Sequence, residues 1–413
     1  MAGEGASHYT RGRVCSPFWI VKRGSRADNL RMALNVLIVP DKFKGTLTAP
    51  AAMKAIALGW HRSRPADALD LLPMSDGGDG FGEVISGLLG ARAQMVETVD
   101  AAHHDCRAPW WWEPKTKTAI IESANVIGLA QLPAKKFHPF ELDTFGLGAV
   151  IRAASAKGAR RCLMGIGGSA TNDGGFGVAR ALGWEFLDRS GKQLARWTDL
   201  AALATVVAPK RTRWFEELIV AVDVQNPLLG AQGCTRIYGP QKGLTRRDFA
   251  SAEKCLRRLR SLMSKVQSFK VLRDGHCAKG MKGDGAAGGL GFGLRNFLGA
   301  RLEPGFDLFA RLSDLPRRLQ QADLVITGEG AIDPSTLMGK GVGRIAERCA
   351  GSKIPCLGLA GTVTAGRKQK FFTELHGLTE LTSAKNAKQR AAFWLERLAE
   401  RVAKGHEFLI LDF

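Results

Sequence analysis

The stretch CLMGIGGSATNDGG occupies residues 162–175 and indicates the fold of the chain. It opens on a short apolar run, residues 162–166, with the composition of a buried strand. The run leads into a loop of glycine, hydroxyl, amide and carboxylate residues, and a helical pattern follows that loop. A strand that ends in a glycine-rich loop before a helix is typical of a βα unit, so the stretch predicts a parallel sheet.

The same alternation recurs along the chain and predicts an α/β fold with largely parallel sheets. The predicted strands are residues 34–40, 118–122, 162–166, 218–223, 324–327 and 356–360. Loops rich in glycine and aspartate lie at residues 40–45, 75–80, 165–175, 223–227 and 327–336. Ligands bind at the carboxyl ends of parallel strands, where such loops gather. We therefore treat these loops as one candidate site.

Composition and length predict a globular protein of two domains. The chain has 413 residues, of which 45% are hydrophobic and 24% are charged. No apolar run reaches the about 18 residues of a membrane span, and no signal peptide is recognisable, so we expect a cytoplasmic protein without a membrane partner. The eight cysteines are scattered without a Cys-x-x-Cys pair, which predicts reduced thiols rather than disulfides or a zinc site.

The formal charge of +20 is the unusual bulk property. Such a charge is compatible with nucleic acid, an acidic surface or an anionic small substrate as partner. Part of the excess lies in residues 1–33, which we interpret as a basic tail, and part in residues 242–282. Residues 249–266 have apolar residues at helical spacing with arginines between them, which predicts a helix with a solvated basic face. Because no nucleic-acid-binding motif accompanies the charge, we expect no nucleic-acid partner.

The loop after residue 164 supports two interpretations. Gly165, Gly167 and Ala170 match the Rossmann fingerprint, and Asp188 lies near the distance expected of a ribose-binding acid, which favours NAD(P). The loop continues with hydroxyl, amide and carboxylate residues that a dinucleotide turn does not need: Ser169, Thr171, Asn172 and Asp173. Those residues favour a loop that binds phosphate and a metal ion.

A second glycine-rich stretch, MKGDGAAGGLGFG, occupies residues 281–293. It contains a weaker glycine fingerprint at Gly283, Gly285 and Gly288, and no predicted strand precedes it closely. Glycine at so many positions destabilises a chain unless a neighbour packs against the backbone or φ is positive. We interpret the stretch as a second ligand-facing loop that leads into a helix, with a flexible connection as the alternative.

The candidate loops supply what phosphoryl transfer requires, namely cations for the phosphates, carboxylates for a metal and a group near the acceptor hydroxyl. The cations are Lys42, Lys44 and Lys340. The carboxylates are Asp41, Asp76, Asp79, Asp173, Asp223, Glu329 and Asp333. The sequence has neither a Walker A motif nor the protein-kinase motifs, which excludes the common nucleotide-binding families.

Taken together, these loops resemble the type I glycerate kinase family. The matching segments, in family order, are IVPDKFKGTLTA, LPMSDGGDGFGEVI, GIGGSATNDGG, AVDVQNPLLGAQG, YGPQKG, GDGAAGGLG and LVITGEGAIDPSTLMGK. The resemblance implies ATP-dependent phosphorylation of D-glycerate with magnesium, and 2-phosphoglycerate as the product. The alternatives are a kinase for a related small hydroxy acid and an NAD(P)-binding oxidoreductase.

The resemblance also implies a fold of two α/β domains with the active site in the cleft between them. One domain is discontinuous and comprises residues 34–100 and 310–413. The other, residues 101–309, is inserted and has a flavodoxin-like topology. Three departures from the family pattern bear on substrate choice, namely the changed hydroxyls of DKFKGTLTA, Ala331 in place of an arginine, and Asp284 in place of a small residue.

Our predicted site residues follow from these loops. Predicted catalytic residues are Asp173, Asp223, Lys44, Asp76 and Asp79, with Asp173 and Asp223 also predicted to bind magnesium. Predicted ATP-binding residues are Gly167, Gly168, Ser169, Thr171, Asn172, Gly285, Gly288, Glu329, Asp333 and Lys340. The identity of the catalytic base among the aspartates stays open at this point.

Overall fold

A computed structural model describes residues 33–265, 282–334, 336, 341–364 and 371–405. The predicted tail, apart from residue 33, lies outside the described residues. The strands are β1 Asn35–Ile38, β2 Ala68–Leu71, β3 Arg92–Val99, β4 Asp105–Glu113, β5 Thr118–Glu122, β6 Arg161–Gly165, β7 Glu185–Leu187, β8 Thr205–Val207, β9 Glu217–Val222, β10 Arg301–Pro304, β11 Leu324–Ile332, β12 Cys356–Val363 and β13 Glu374–Gly377.

Helices alternate with these strands along most of the chain. Those in the described ranges are α1 Ala49–Ser63, α2 Phe81–Leu89, α3 Ala124–Ile127, α4 Leu147–Ala156, α5 Phe176–Ala181, α6 Cys234–Ile237, α7 Gly239–Lys242, α8 Phe249–Met263, α9 Ala286–Leu298, α10 Gly305–Leu312, α11 Leu315–Gln321, α12 Gly341–Gly351, α13 Ala384–Gln389 and α14 Ala391–Gly405. None of them, over the described part of the chain, is long and apolar enough to cross a membrane.

Two large sheets carry the fold. A five-stranded sheet has the order β13-β12-β11-β1-β2, and all its neighbouring strands are parallel. A six-stranded sheet has the order β10-β9-β6-β5-β4-β3, with β5, β6, β9 and β10 parallel and the β3–β4–β5 edge antiparallel. The predicted α/β class with largely parallel sheets is confirmed.

The strand order of the six-stranded sheet follows the chain order from β3 to β10. A flavodoxin-like sheet instead reverses its order at a switch point. The parallel strands β5, β6, β9 and β10 are adjacent in chain order without a reversal, and β3 and β4 add an antiparallel edge. The division of the chain into a discontinuous domain and an inserted domain stays a prediction.

Alternate residues of the central strands face two different cores, since side chains of a strand point to opposite faces of its sheet. In β1, Val36 and Ile38 pack on the outer face of the five-stranded sheet with α1 and α14. Leu37 belongs to a core that also contains Ile120 and Leu163 of the other sheet. This shared core joins the two large sheets.

The predicted loop 327–336 is only partly a loop. Strand β11 extends to Ile332 and pairs with β12 through that residue. Glycines within the strand permit the pairing, because a Cβ on Gly328 would lie 2.0 Å from the carbonyl oxygen of Leu359. Glycine marks a close approach of two backbones here, where the sequence pattern indicated a turn.

The loop at residues 75–80 lies in close contact with elements of the six-stranded sheet. A Cβ on Gly305, at the start of α10, would lie 1.7 Å from the carbonyl oxygen of Asp76. A Cβ on Gly167, after β6, would lie 2.6 Å from the Cα atom of Gly78. The Gly167 amide also donates to the Gly77 carbonyl at 3.1 Å. Glycine is therefore required for this loop to reach the ends of β6 and β10.

Replacing Gly305 with alanine tests this close packing. The new methyl group must displace backbone, so we expect Gly305→Ala to lower the free energy of unfolding by about 1–3 kcal/mol, as overpacking does. Gly87→Ala is the matched control, because a Cβ there meets nothing within 4 Å and alanine favours the helix. Denaturant titration measures both, and equal stability of the two variants would contradict the packing argument.

Candidate active site

A cavity of about 760 Å³ opens at the carboxyl ends of strands from both large sheets. We call it the first cavity. Its polar lining consists mainly of Asp41, Lys42, Lys44, Asp76, Asp79, Asp223, Glu329, Asp333 and Thr336. Its other end is lined mostly by small and apolar residues, namely Gly361, Leu378, Ala384, Ala387 and Ala391, with Lys388 among them. The cavity thus has a charged end and a mostly apolar end.

A second cavity of about 560 Å³ adjoins the first. Its own lining includes Glu122, Asn125, Gln131, Ser169 and Lys242. Both cavities share a set of lining residues, which we call the junction: Lys44, Asp79, Gly167, Gly168, Asp223, Tyr238 and Gln241. A group bound at the junction contacts both cavities.

Of the predicted catalytic residues, four line the first cavity, namely Lys44, Asp76, Asp79 and Asp223. Asp223 follows β9, Asp79 belongs to the loop before α2, and Lys44 follows β1. The structure therefore brings together side chains that are distant in sequence. Their roles in catalysis stay a prediction.

Lys42 lies within a group of carboxylates at the charged end. Its Nζ atom donates to the carbonyl oxygen of Asp79 at 3.1 Å. Burial alone lowers the pKa of Lys42, but the surrounding carboxylates Asp41, Asp76, Asp79 and Asp223 outweigh burial, so the pKa is raised. The ammonium is therefore charged at neutral pH and offsets part of the negative charge.

Asp41 is the acid most affected by this environment. Burial, together with the negative charge of Asp76, raises the pKa of Asp41 to about 7. The amide of Lys42 donates to Asp41 Oδ1 at 2.7 Å and partly opposes the shift. Close carboxylates repel one another, so a cation bound here would be favoured.

Glu122 at the end of β5 is a carboxylate that sequence reasoning left out of the site. It accepts hydrogen bonds from the amides of Gly80 and Gly82, at 2.8 and 2.9 Å. These amides belong to the first turn of α2, where an anion is stabilised by the helix terminus. Glu122 thereby holds the loop that carries Asp79. Its position at a strand end was the signal available in the sequence.

Asp173 lies outside the linings of both cavities and is fully buried. Its carboxylate accepts hydrogen bonds from the Thr144 hydroxyl at 2.7 Å and from the amides of Thr144, Gly175 and Gly177 at 2.9–3.1 Å. Burial, with the nearby charge of Asp143, still raises the pKa of Asp173. A carboxylate engaged in this way holds the loop in place, so its predicted role as metal ligand or base stays a prediction.

Four predicted nucleotide-binding residues line neither cavity: Thr171, Asn172, Gly285 and Gly288. Gly288 has a φ of 68°, and a Cβ on it would lie 1.9 Å from the carbonyl oxygen of Thr171. The Gly285 amide donates to the Asn226 carbonyl at 2.9 Å. The glycines at the start of α9 therefore support the 165–175 loop from behind.

The remaining predicted nucleotide-binding residues divide among the two cavities. Gly167 and Gly168 lie at the junction, and Ser169 lines the second cavity. Glu329 and Asp333 line the first cavity, where the Thr336 hydroxyl donates to Glu329 at 2.8 Å. Lys340 lies outside the described residues.

Ala331 and Asp284, two residues that depart from the family pattern, lie in different surroundings. Ala331 lines the first cavity, so a missing arginine there alters the cavity itself. Asp284 is buried and forms an ion pair with Arg295 at 2.8 Å. The Asp284 side chain therefore stabilises α9 and lies outside both cavity linings.

The dinucleotide interpretation gains no support from the position of Asp188. This residue lies in the exposed turn after β7, where its carboxylate accepts hydrogen bonds from Ser190 and from the Lys192 amide. It lines neither cavity. A ribose bound in the cleft would not reach the part of the chain that holds Asp188.

Comparison with known proteins gives a consistent result. The family described as the Glycerate kinase family matches residues 36–407. A glycerate kinase of Bacillus subtilis is 34% identical, over 90% of this chain and 97% of the relative. Glycerate 2-kinase of Escherichia coli is 32% identical, over 80% of this chain and 86% of the relative.

A solved structure supports the same relationship. A crystal structure provisionally assigned as glycerate kinase 2 of Salmonella typhimurium LT2 superimposes with a TM-score of 0.75 at 31% identity. The match covers 91% of this chain and 98% of the crystallised chain. The family resemblance and the fold class predicted from the sequence are confirmed, and an NAD(P)-binding oxidoreductase is not favoured.

Replacing Asp173 and Asp223 separately with asparagine distinguishes their roles. Asp173→Asn keeps one acceptor oxygen but places an amide NH₂ where the other carboxylate oxygen accepts a hydrogen bond, so we expect a loss of about 1–3 kcal/mol in the free energy of unfolding. Asp223→Asn, at an exposed junction position, should instead lower turnover by about 10²–10⁴-fold. Denaturant titration and turnover per folded molecule measure the two effects. Lost turnover with normal stability in Asp173→Asn, together with lost stability and normal turnover in Asp223→Asn, would contradict these roles.

The raised pKa of Asp41 predicts a pH-dependent stability. Folded Asp41 keeps a proton up to about pH 7, whereas the unfolded chain releases it near pH 4, so ionising Asp41 lowers the free energy of unfolding across that window. Asp41→Asn does not titrate. We therefore expect the stability of Asp41→Asn relative to the parent protein to increase from about pH 5 to about pH 8.

Thermal and denaturant unfolding at several pH values measure this difference. Repeating the series at high salt is the control, because salt screens exposed charges more than buried ones. A stability difference that is constant with pH would show that Asp41 has no raised pKa.

Proposed function

The chain belongs to the glycerate kinase family, and we propose that it transfers the γ-phosphoryl group of ATP to the 2-hydroxyl of D-glycerate with the aid of magnesium. Two adjoining cavities that share a charged junction carry this proposal. Phosphoryl transfer requires a nucleotide and an acceptor to meet in a fixed orientation. The two cavities join at Lys44, Asp79 and Asp223, so a nucleotide in one cavity and an acceptor in the other come into contact there.

We place ATP in the first cavity. Its volume of about 760 Å³ is in the range of small-molecule sites, and its two ends differ in chemistry. The apolar end suits a purine ring, and the charged end, with Lys42 and the carboxylates, suits phosphates accompanied by a metal ion. The phosphate chain then extends toward the junction.

The carboxylates of the first cavity fit magnesium. The ion prefers carboxylate oxygens and usually binds through one or two of them together with substrate phosphates. Among the described residues, no group of three His, Cys, Asp or Glu side chains could hold a metal ion alone. Burial raises the pKa of Asp41, and the negative charges of Asp76 and Glu329 add to the shift, which indicates that carboxylates are close together here. We propose that one junction carboxylate, Asp223 or Asp79, holds magnesium, which neutralises phosphate charge when bound.

Residues of the junction then act on the transferred phosphoryl group and on the attacking hydroxyl. Lys44 is exposed at the junction and can neutralise charge on the transferred phosphoryl group. The other of the two junction carboxylates, Asp79 or Asp223, accepts the proton of the attacking hydroxyl. Asp76, at the back of the first cavity, adds to the field around Lys42. Asp173 fixes the loop that carries Gly167 and Gly168.

The proposal also covers the identity of the acceptor and the location of the protein in the cell. A related small hydroxy acid is the second candidate substrate. Ala331 lines the first cavity, where we place ATP, so the missing arginine side chain bears on nucleotide binding rather than on the choice of acceptor. A cytoplasmic location is part of the proposal and rests on the composition of the chain.

Phosphorus NMR of the reaction products tests the proposed function. Purified protein with MgATP and D-glycerate should convert ATP to ADP and give the phosphorus signal of 2-phosphoglycerate. The signal reports turnover and the phosphorylated hydroxyl together. Omitting magnesium by chelation should abolish the product signal.

Two other outcomes would each change the account. A 3-phosphoglycerate signal would keep the kinase and overturn the proposed hydroxyl. Intact ATP in the presence of folded protein would contradict glycerate as the substrate, and other hydroxy acids would then be compared by the same measurement.

A further inference from the structure

Lys242 is a buried cation at the wall of the second cavity. It is the last residue of the short helix α7, and only 7% of its surface is exposed. Sequence reasoning quoted this lysine as part of YGPQKG but gave it no role. Neighbouring residues of the same segment, Tyr238 and Gln241, lie at the junction.

The contacts of Lys242 leave its charge uncompensated. Its Nζ atom donates to the Ser169 hydroxyl at 3.1 Å and to the Thr171 carbonyl at 2.7 Å. Over the described ranges, no carboxylate lies within ion-pair distance of Nζ. A buried charge without a paired counter-ion is unfavourable, and burial lowers the pKa of Lys242 to about 8, although the nearby charge of Asp173 opposes part of the shift. Of its three N–H donors, one remains for a ligand.

The fixed position of the ammonium favours recognition of a ligand. Two hydrogen bonds hold Nζ against the 165–175 loop, and Gly243 ends the helix with a φ of 112°. A side chain held in one position loses little entropy on binding. Lys44, which also lines the second cavity, is exposed, so its charge is screened by solvent.

We propose that Lys242, together with the hydroxyl of Ser169, binds the carboxylate of the acceptor in the second cavity. The inference rests on the proposed function and names the group that selects an acid. A carboxylate supplies the missing counter-ion. The phosphates of ATP are the other anion available, but the first cavity lies on the opposite side of the junction and has its own cation, Lys42.

Measuring a Lys242 variant with both D-glycerate and an uncharged analogue of it tests the proposal. Lys242→Met keeps an unbranched side chain that is one atom shorter and removes the ammonium group with its charge. We expect kcat/KM for D-glycerate to fall by about 10- to 100-fold, the loss of a charged hydrogen bond. With glyceramide, which has an uncharged amide in place of the carboxylate, parent and variant should have the same kcat/KM. KM for ATP should not change.

The controls separate binding from structure. Lys157→Met removes an exposed lysine of the α4 terminus and should change neither substrate's kinetics. An equal loss for glycerate and glyceramide would show that Lys242 is only structural and would overturn the proposal. A higher KM for ATP with unchanged glycerate kinetics would overturn it in favour of a phosphate contact.

A second variant covers a failure of Lys242→Met to fold. Ser169→Ala removes one hydroxyl and should raise KM for D-glycerate, with glyceramide kinetics unchanged. Calorimetric binding of D-glycerate separates this proposal from the proposed function. If the parent protein binds D-glycerate without phosphorylating it, the proposed function fails, and loss of that binding in either variant still supports the carboxylate site. Unchanged binding in both variants overturns it.

Discussion

The close approach of the loop at residues 75–80 to the ends of β6 and β10 is the constraint on which the site depends. Gly167 and Gly305 permit this approach because any side chain there would overlap the loop backbone. The loop belongs to the chain of the five-stranded sheet but lies against strands of the six-stranded one. Asp79 is thereby placed near Asp223, and the loops of both sheets form one continuous cleft.

The charged side chains differ between the two cavities, although Asp79 and Asp223 line both. Carboxylates surround Lys42 in the first cavity, where a metal ion and phosphates would balance them. The second cavity has a buried lysine without a carboxylate partner among the described residues. A nucleotide that brings a metal ion suits the carboxylates of the first cavity, and the carboxylate of a small organic acid suits the buried lysine of the second cavity. The family assignment and the separate charge patterns therefore lead to the same pair of substrates.

The sequence predicted the fold class and the loops, because apolar runs and glycine-rich turns are local patterns. It could not rank the aspartates: Asp173 and Asp223 both follow parallel strands, yet one faces loop amides and the other faces the cleft. That difference depends on how the loops fold back. The role of Glu122 and the burial of Lys242 likewise depend on contacts between residues far apart in the chain.

A crystal structure of the protein with magnesium, a non-hydrolysable ATP analogue and D-glycerate tests the central claim most directly. The account predicts the γ-phosphate at the junction beside Lys44 and Asp223, with the nucleoside toward Ala387. It predicts the glycerate carboxylate on Lys242 and the 2-hydroxyl facing the γ-phosphate. Phosphates on Lys242, or both ligands within the first cavity, would contradict the division of the cleft into a nucleotide cavity and an acceptor cavity.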